Sequence, residues 1–198
     1  ILTYLTAKTI KDYNLDVKIR PFSVEVPTKV KNLSSARNVI SKITELLDFH
    51  QWLPTEEFYM PIELSYPPNK DQQFIKFLNS IFQDGKSQFE FNGNTKNPPA
   101  NVRSSFKNDQ YRQFGRDNRT TIYNGPESAS PHAMMDKKDI VELYVMYDLI
   151  DTLAPLTLSC DENIETIKSY NLPVPCGECW WCRERDWGLK SNNITHII

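Results

Sequence analysis

The sequence predicts an α/β protein built on a parallel sheet with crossover helices and followed by a C-terminal segment that its cysteines staple together. Two observations carry that expectation. Helix, strand and helix patterns alternate within the first fifty residues, and all four cysteines of the 198-residue chain fall between positions 160 and 182. Composition permits such a fold, since 39% hydrophobic and 24% charged residues describe an ordinary globular chain long enough to bury a real core. A formal net charge of −2 gives no global pull toward nucleic acid or an anionic membrane, so no direct nucleic-acid partner is expected. No apolar run reaches bilayer-spanning length and no signal-peptide pattern opens the chain, so the expected compartment is the cytosol and no membrane partner is expected.

The first element is "ILTYLTAKTIKDY" (residues 1–13), with apolar Ile1, Leu2, Leu5, Ile10 and Tyr13. It reads as the body of an amphipathic helix with no capping residue before it, entered from an upstream strand and loop or else simply a frayed N-terminal helix. "DVKIRPFSVEVP" (residues 16–27) alternates apolar and polar residues and predicts a strand ended by Pro27. "SSARNVISKITELLDF" predicts a helix capped by Ser34 or Ser35, with Ala36, Val39, Ile40, Ile43, Leu46 and Leu47 on one face. "EFYMPIEL" is a weaker strand candidate, "DQQFIKFLNSIFQDG" a helix ending near Gly85, and "SQFEFNGN" a strand running into a loop. Residues 95–131 are rich in Asn, Pro, Ser, Arg and Gly and show little periodicity, so they are expected to be a functional loop or a disordered one. "MDKKDIVELYVMYDLIDTL" then predicts a further amphipathic helix through Ile140, Val141, Tyr144, Val145 and Leu149.

Cys176, Cys179 and Cys182 form C-x2-C-x2-C, and Cys160 stands fifteen intervening residues upstream. Four thiolates suit one structural Zn2+, because a d10 ion accepts tetrahedral sulfur ligation and leaves no position open for water. Two disulfides and an iron–sulfur cluster are the competing readings; a chain without a signal peptide is expected to keep its thiols reduced.

The pattern Ser-Cys, then Cys-Gly-x-Cys-x-x-Cys-x-x-Arg, then a glycine and an apolar residue is carried by Ser159, Cys160, Cys176, Gly177, Cys179, Cys182, Arg185, Gly188 and Leu189. It resembles the zinc signature of the 7-cyano-7-deazaguanine synthases, the queuosine-pathway members of the PP-loop ATP pyrophosphatase superfamily. The resemblance implies the parallel-sheet PP-loop ATP pyrophosphatase fold (adenine nucleotide alpha-hydrolase-like) over residues 1–155, with a zinc-binding segment over residues 156–198. It implies a ligase that converts 7-carboxy-7-deazaguanine and ammonia to 7-cyano-7-deazaguanine with ATP and Mg2+. That family's Ser-Gly-Gly-x-Asp-Ser phosphate loop occurs nowhere in the 198 residues, so on this reading it either precedes Ile1 or does not exist.

Candidate residues follow from that reading. Asn92, Gly93, Asn94, Thr95 and Lys96 come just after a predicted strand, where ligands meet a parallel sheet, although a polar turn explains them as well. Lys137 falls where the family carries a lysine; a solvated helix start is the competing explanation. Trp180 and Trp181 are candidates for stacking on the deazaguanine ring, or for packing over the metal site. Arg183 and Arg185 are candidates for a phosphate or carboxylate, or for capping the metal loop. His50, His132 and His196 show no ligand spacing to one another, and only His132 lies in a functional-looking stretch. Two other classes stay open: a zinc-stabilised accessory or binding module that has lost ATP turnover, and an asparagine-synthetase-like or tRNA-thiolating relative; the net charge of −2 argues against thiolation alone, which would favour a basic tRNA-facing surface. A homodimer is an admissible assembly.

Overall fold

The structure, a computed structural model, describes residues 1–26, 32–60, 69–85, 87–106, 123–125, 128–160, 168 and 175–195. It shows a mixed α/β fold with parallel strand pairing and a C-terminal cluster of four cysteines. Two compact units divide the chain. One comprises Thr3–Phe89 and Glu162–Asn171; the other comprises Ile1–Leu2, Glu90–Asp161 and Leu172–Ile198 and carries the cysteines.

The first unit opens with α1 (Leu2–Asp12), which buries Tyr4, Ala7 and Ile10. That stripe is rotated from the expected one: Tyr13, counted on the apolar face, lies past the helix end and is 73% exposed. Strand β1 (Phe22–Glu25) is much shorter than the predicted run, because Pro21 has no N–H to donate to a ladder. Its upstream part makes a single parallel bridge, Ile19 to Trp52. Helix α2 (Asn32–Leu47) starts earlier than expected, which places Ser34 and Ser35 inside it rather than at its cap. Strand β2 (Glu56–Tyr59) then pairs parallel with β1, Val24 opposite Phe58. The remainder of the predicted strand, residues 61–64, lies outside the described residues.

A parallel pair needs a crossover connection, and α2 supplies it, so β1–α2–β2 is a complete βαβ unit. Helix α3 (Asn69–Gln83) follows. Its Phe77 stacks on Phe58 at 4.8 Å and meets Phe22 edge-on at 6.4 Å, which covers one face of the pair. Neighbouring strand residues point to opposite faces. Glu57 accordingly meets α2, whose Arg37 guanidinium donates to both carboxylate oxygens at 2.8 and 2.6 Å. Under α2, Trp52 donates to Thr44 Oγ1 at 2.9 Å and packs edge-on against buried Phe49.

The cysteine-bearing unit contains β3 (Glu90–Phe91), α4 (Ala100–Arg103), β4 (Tyr123–Gly125), β5 (Ser128–Ala129), α5 (Lys137–Met146), a 3-10 turn (Ala154–Leu156) and α6 (Trp180–Ser191). The sheet order is β3-β5-β4, with β3 parallel and β4 antiparallel to β5. Residues 95–131 therefore hold a helical turn and two strands among their described positions. These elements run only two to four residues, too short for periodicity to reveal; positions 107–122 and 126–127 lie outside the described residues. Helix α5 starts on a capping box: the Asp136 side chain accepts from the N–H groups of Lys138 and Asp139, and Asp139 reaches back to the Asp136 N–H at 2.9 Å. Against α5 packs α6, with Val141, Leu189 and Ile194 forming the buried contact.

Candidate functional site

The four cysteines come from three pieces of chain. Cys160 ends an extended stretch after the 3-10 turn, Cys176 precedes a tight turn, and Cys179 and Cys182 sit at the start of α6. The turn depends on Gly177, whose φ of +73° is strained for any residue with a Cβ. It brings the Cys179 N–H onto Cys176 Sγ at 3.3 Å, and Cys179 then serves as the N-cap residue of α6. One helical turn later Cys182 returns to the same side, 4.0 Å from Cys176 Sγ.

All four Sγ atoms lie within 4.8 Å of one another, and Cys160, Cys176 and Cys182 are buried. None is in a disulfide. A tetrahedral ion with metal–sulfur bonds of about 2.3 Å sets its sulfurs roughly 3.8 Å apart, so the cluster fits one ion after adjustments well under the size of an atom. Several irons in a cluster would spread their cysteines onto different metal atoms. The protein thus presents a four-cysteine cluster able to coordinate a metal ion. Hydrogen bonding with Cys179 and burial hold the Cys182 thiol far above the usual thiol range, with the Gly177 N–H acting in the opposite direction. Metal binding at such thiols must release protons.

Around the cluster, Arg185 donates to the backbone carbonyls of Thr157 at 2.7 Å and Ala154 at 3.0 Å, which ties α6 to the segment that delivers Cys160. Burial lowers its pKa, while the nearby Tyr144 and Cys182 groups oppose that shift. Arg183 pairs with Glu178 at 2.7 Å across the knuckle's outer side. Trp180 is buried and meets Phe106 edge-on at 5.0 Å; Trp181, its neighbour, is 38% exposed. Gly188 lies directly on the start of α5, where a Cβ would stand 2.8 Å from the Lys137 carbonyl oxygen.

The remaining candidates collect elsewhere in the same unit. Residues 92–97 leave β3, and residues 130–136 leave β5; because the two strands are parallel, both segments emerge at one sheet edge. Asn92 extends the ladder through its N–H to Ala129, and its side-chain oxygen accepts from Ser130 Oγ and from the Asn94 N–H. The Lys96 N–H donates to the Met135 carbonyl at 2.8 Å, while Gly93 and the Lys96 side chain are exposed. Lys137 is the first residue of α5. His132 lies in the intervening turn and is 6% exposed; burial, then the charges of the Ile1 amino group and Lys137, push its pKa down to about 4. Sequence reasoning overlooked Ser130 and the Ala154 and Thr157 carbonyls. Backbone acceptors leave no mark in a sequence, and Ser130 gains meaning only through the β3–β5 pairing.

The chain matches no protein-family model, no curated protein and no solved structure. Among the described residues no helix is long and apolar enough to cross a membrane.

Proposed function

We propose that the protein is a zinc-stapled, ATP-dependent carbon–nitrogen ligase of the 7-cyano-7-deazaguanine synthase type, on a PP-loop pyrophosphatase scaffold. The observation that carries this reading is the convergence of the resemblance pattern in space. Cys160, Cys176, Cys179 and Cys182 close on one point, Gly177 makes the turn, Arg185 braces the Cys160 segment, and Gly188 seats α6 on α5. The βαβ unit formed by β1, α2 and β2 suits the scaffold. Zinc bound by the four thiolates would be a structural staple, with no coordination site left for chemistry.

The reaction joins carboxylate oxygen to the ATP α-phosphate with loss of pyrophosphate; ammonia displaces AMP to give the amide, and a second adenylation with loss of AMP leaves the nitrile. No side-chain nucleophile is required. In this reading Trp181 and Arg183, at the knuckle surface, meet the substrate, while Trp180 and Arg185 support them from within the fold. Asn92, Gly93, Asn94, Lys96 and Lys137 contribute contacts to ATP at the strand edge. A second reading, a zinc-stabilised accessory module without ATP turnover, rests on the same four-cysteine cluster. The two separate in one assay of the full-length gene product, loaded with zinc and supplied with 7-carboxy-7-deazaguanine, ammonia, ATP and Mg2+. Mass spectrometry should show the nitrile, with pyrophosphate released. Neither product from folded, metal-replete protein would leave the accessory module standing.

A further inference from the structure

Three cations lie on α6, and two of them are matched by carboxylates: Arg183 with Glu178 at 2.7 Å and Lys190 with Asp186 at 2.8 Å. Arg185 differs. It is half-buried, and among the described residues its guanidinium donates only to the neutral carbonyls of Thr157 and Ala154. Carbonyls orient a guanidinium without cancelling its charge, and a cation that leaves water without an anion is costly. Four thiolates around a divalent ion pose the converse problem, since they carry two more negative charges than the metal supplies. Backbone donors of the knuckle, such as the Cys179 N–H on Cys176 Sγ, offset that excess with partial charges only.

We infer that Arg185 is the counter-charge of the metal centre: its fixed positive charge offsets part of the excess carried by the four thiolates and thereby sets how tightly they hold the ion. The inference rests on the zinc-staple part of the proposed function and not on its ligase chemistry. Position supports it twice. Cys182 and Arg185 are three residues apart on α6, hence neighbours on the helix surface. The Thr157 carbonyl, which Arg185 meets at 2.7 Å, stands three residues before Cys160. The guanidinium thus joins the two pieces of chain that deliver Cys182 and Cys160. The acidic groups whose charges act on it are those of Tyr144 and Cys182. Burial raises the pKa of the Tyr144 hydroxyl and keeps it neutral, which leaves the thiolate cluster as the anion that Arg185 faces. A guanidinium suits the place because it stays charged when water is withdrawn.

The test compares full-length wild type, Arg185→Lys and Arg185→Gln with cobalt(II) as the probe, whose absorption bands report four-thiolate ligation and whose affinity is read by competition with a chelator. Lysine keeps the charge but cannot span both carbonyls, whereas glutamine keeps a hydrogen-bond donor and loses the charge. Arg185→Lys should therefore bind cobalt within about threefold of wild type, and Arg185→Gln about tenfold more weakly with the four-thiolate bands retained. An Arg185→Gln protein that fails to fold, beside an Arg185→Lys protein that folds and binds like wild type, supports the charge role equally. A loss in Arg185→Lys that matches or exceeds the loss in Arg185→Gln, in affinity or in folding, overturns it, because only the brace on the two carbonyls is then at stake. Wild-type affinity in Arg185→Gln overturns it as well. Wild type that binds no cobalt removes the metal site itself, and this inference with it.

Discussion

Cys179 has three roles at one position: its thiol belongs to the metal cluster, its N–H donates to Cys176 Sγ, and its backbone caps α6. Cys179→Ser removes only the first, so it isolates the metal's share of stability. Because structural zinc binds with a free energy that counts toward folding, zinc content and thermal stability should fall together, read by elemental analysis and calorimetry. His132 predicts a pH dependence. Its folded pKa of about 4 lies below the ordinary 6.5, so between those values the unfolded chain binds a proton that the folded one refuses. No penalty exists above pH 6.5. Stability should drop as pH falls toward 4, by at most roughly 3 kcal/mol from this group. Protonation of the cysteines acts in the same direction, so the measurement is the difference between wild type and His132→Gln in denaturant titrations across that range.

Helix ends in this protein follow one rule that its scarce glycines conceal. Asn14, Asp48, Asp148 and Asn193 take positive φ of 49°, 45°, 54° and 59° just past α1, α2, α5 and α6. In each case the next residue returns its N–H to the last turn: Leu15 to Ile10, Phe49 to Thr44, Leu149 to Tyr144 and Ile194 to Leu189. This is the Schellman arrangement, with Asn or Asp in place of glycine. Asn193→Gly should therefore relieve left-handed strain and stabilise the protein by about 1 kcal/mol, visible as a higher Tm. The opposite holds at Gly188. Gly188→Ala drives a methyl into the Lys137 backbone and must part α6 from α5, costing about 1–3 kcal/mol in denaturant midpoint measurements.

For the whole molecule, the four-cysteine cluster and the βαβ unit belong to different compact units. Chelation should therefore act unevenly. Hydrogen exchange after metal removal should rise first in α6 and in the Cys160 segment, both held to the cluster, while α2 and the β1–β2 pair keep their protection. Uniform loss of protection would mean that the metal governs the folding of the entire chain.

The four-cysteine set, α2, α3, α5 and the parallel βαβ order of the first unit were legible in the amino-acid sequence without any contact being known. Each is written either as a residue type with one dominant chemistry or as a pattern long enough to show its period. The helix stops were written there too, as Asn or Asp followed by an apolar residue, a signal weaker than glycine because those residues serve many turns. Tertiary contacts had to settle which side of α1 is buried, how far β1 extends past Pro21, and that residues 92–97 and 130–136 share one edge. They also set Arg185 on the carbonyls of Ala154 and Thr157, and turned Trp180 inward while Trp181 stays exposed. These outcomes depend on pairing two-residue strands and on backbone acceptors that every residue carries alike. Such contacts arise between distant parts of the chain and have no period or composition of their own.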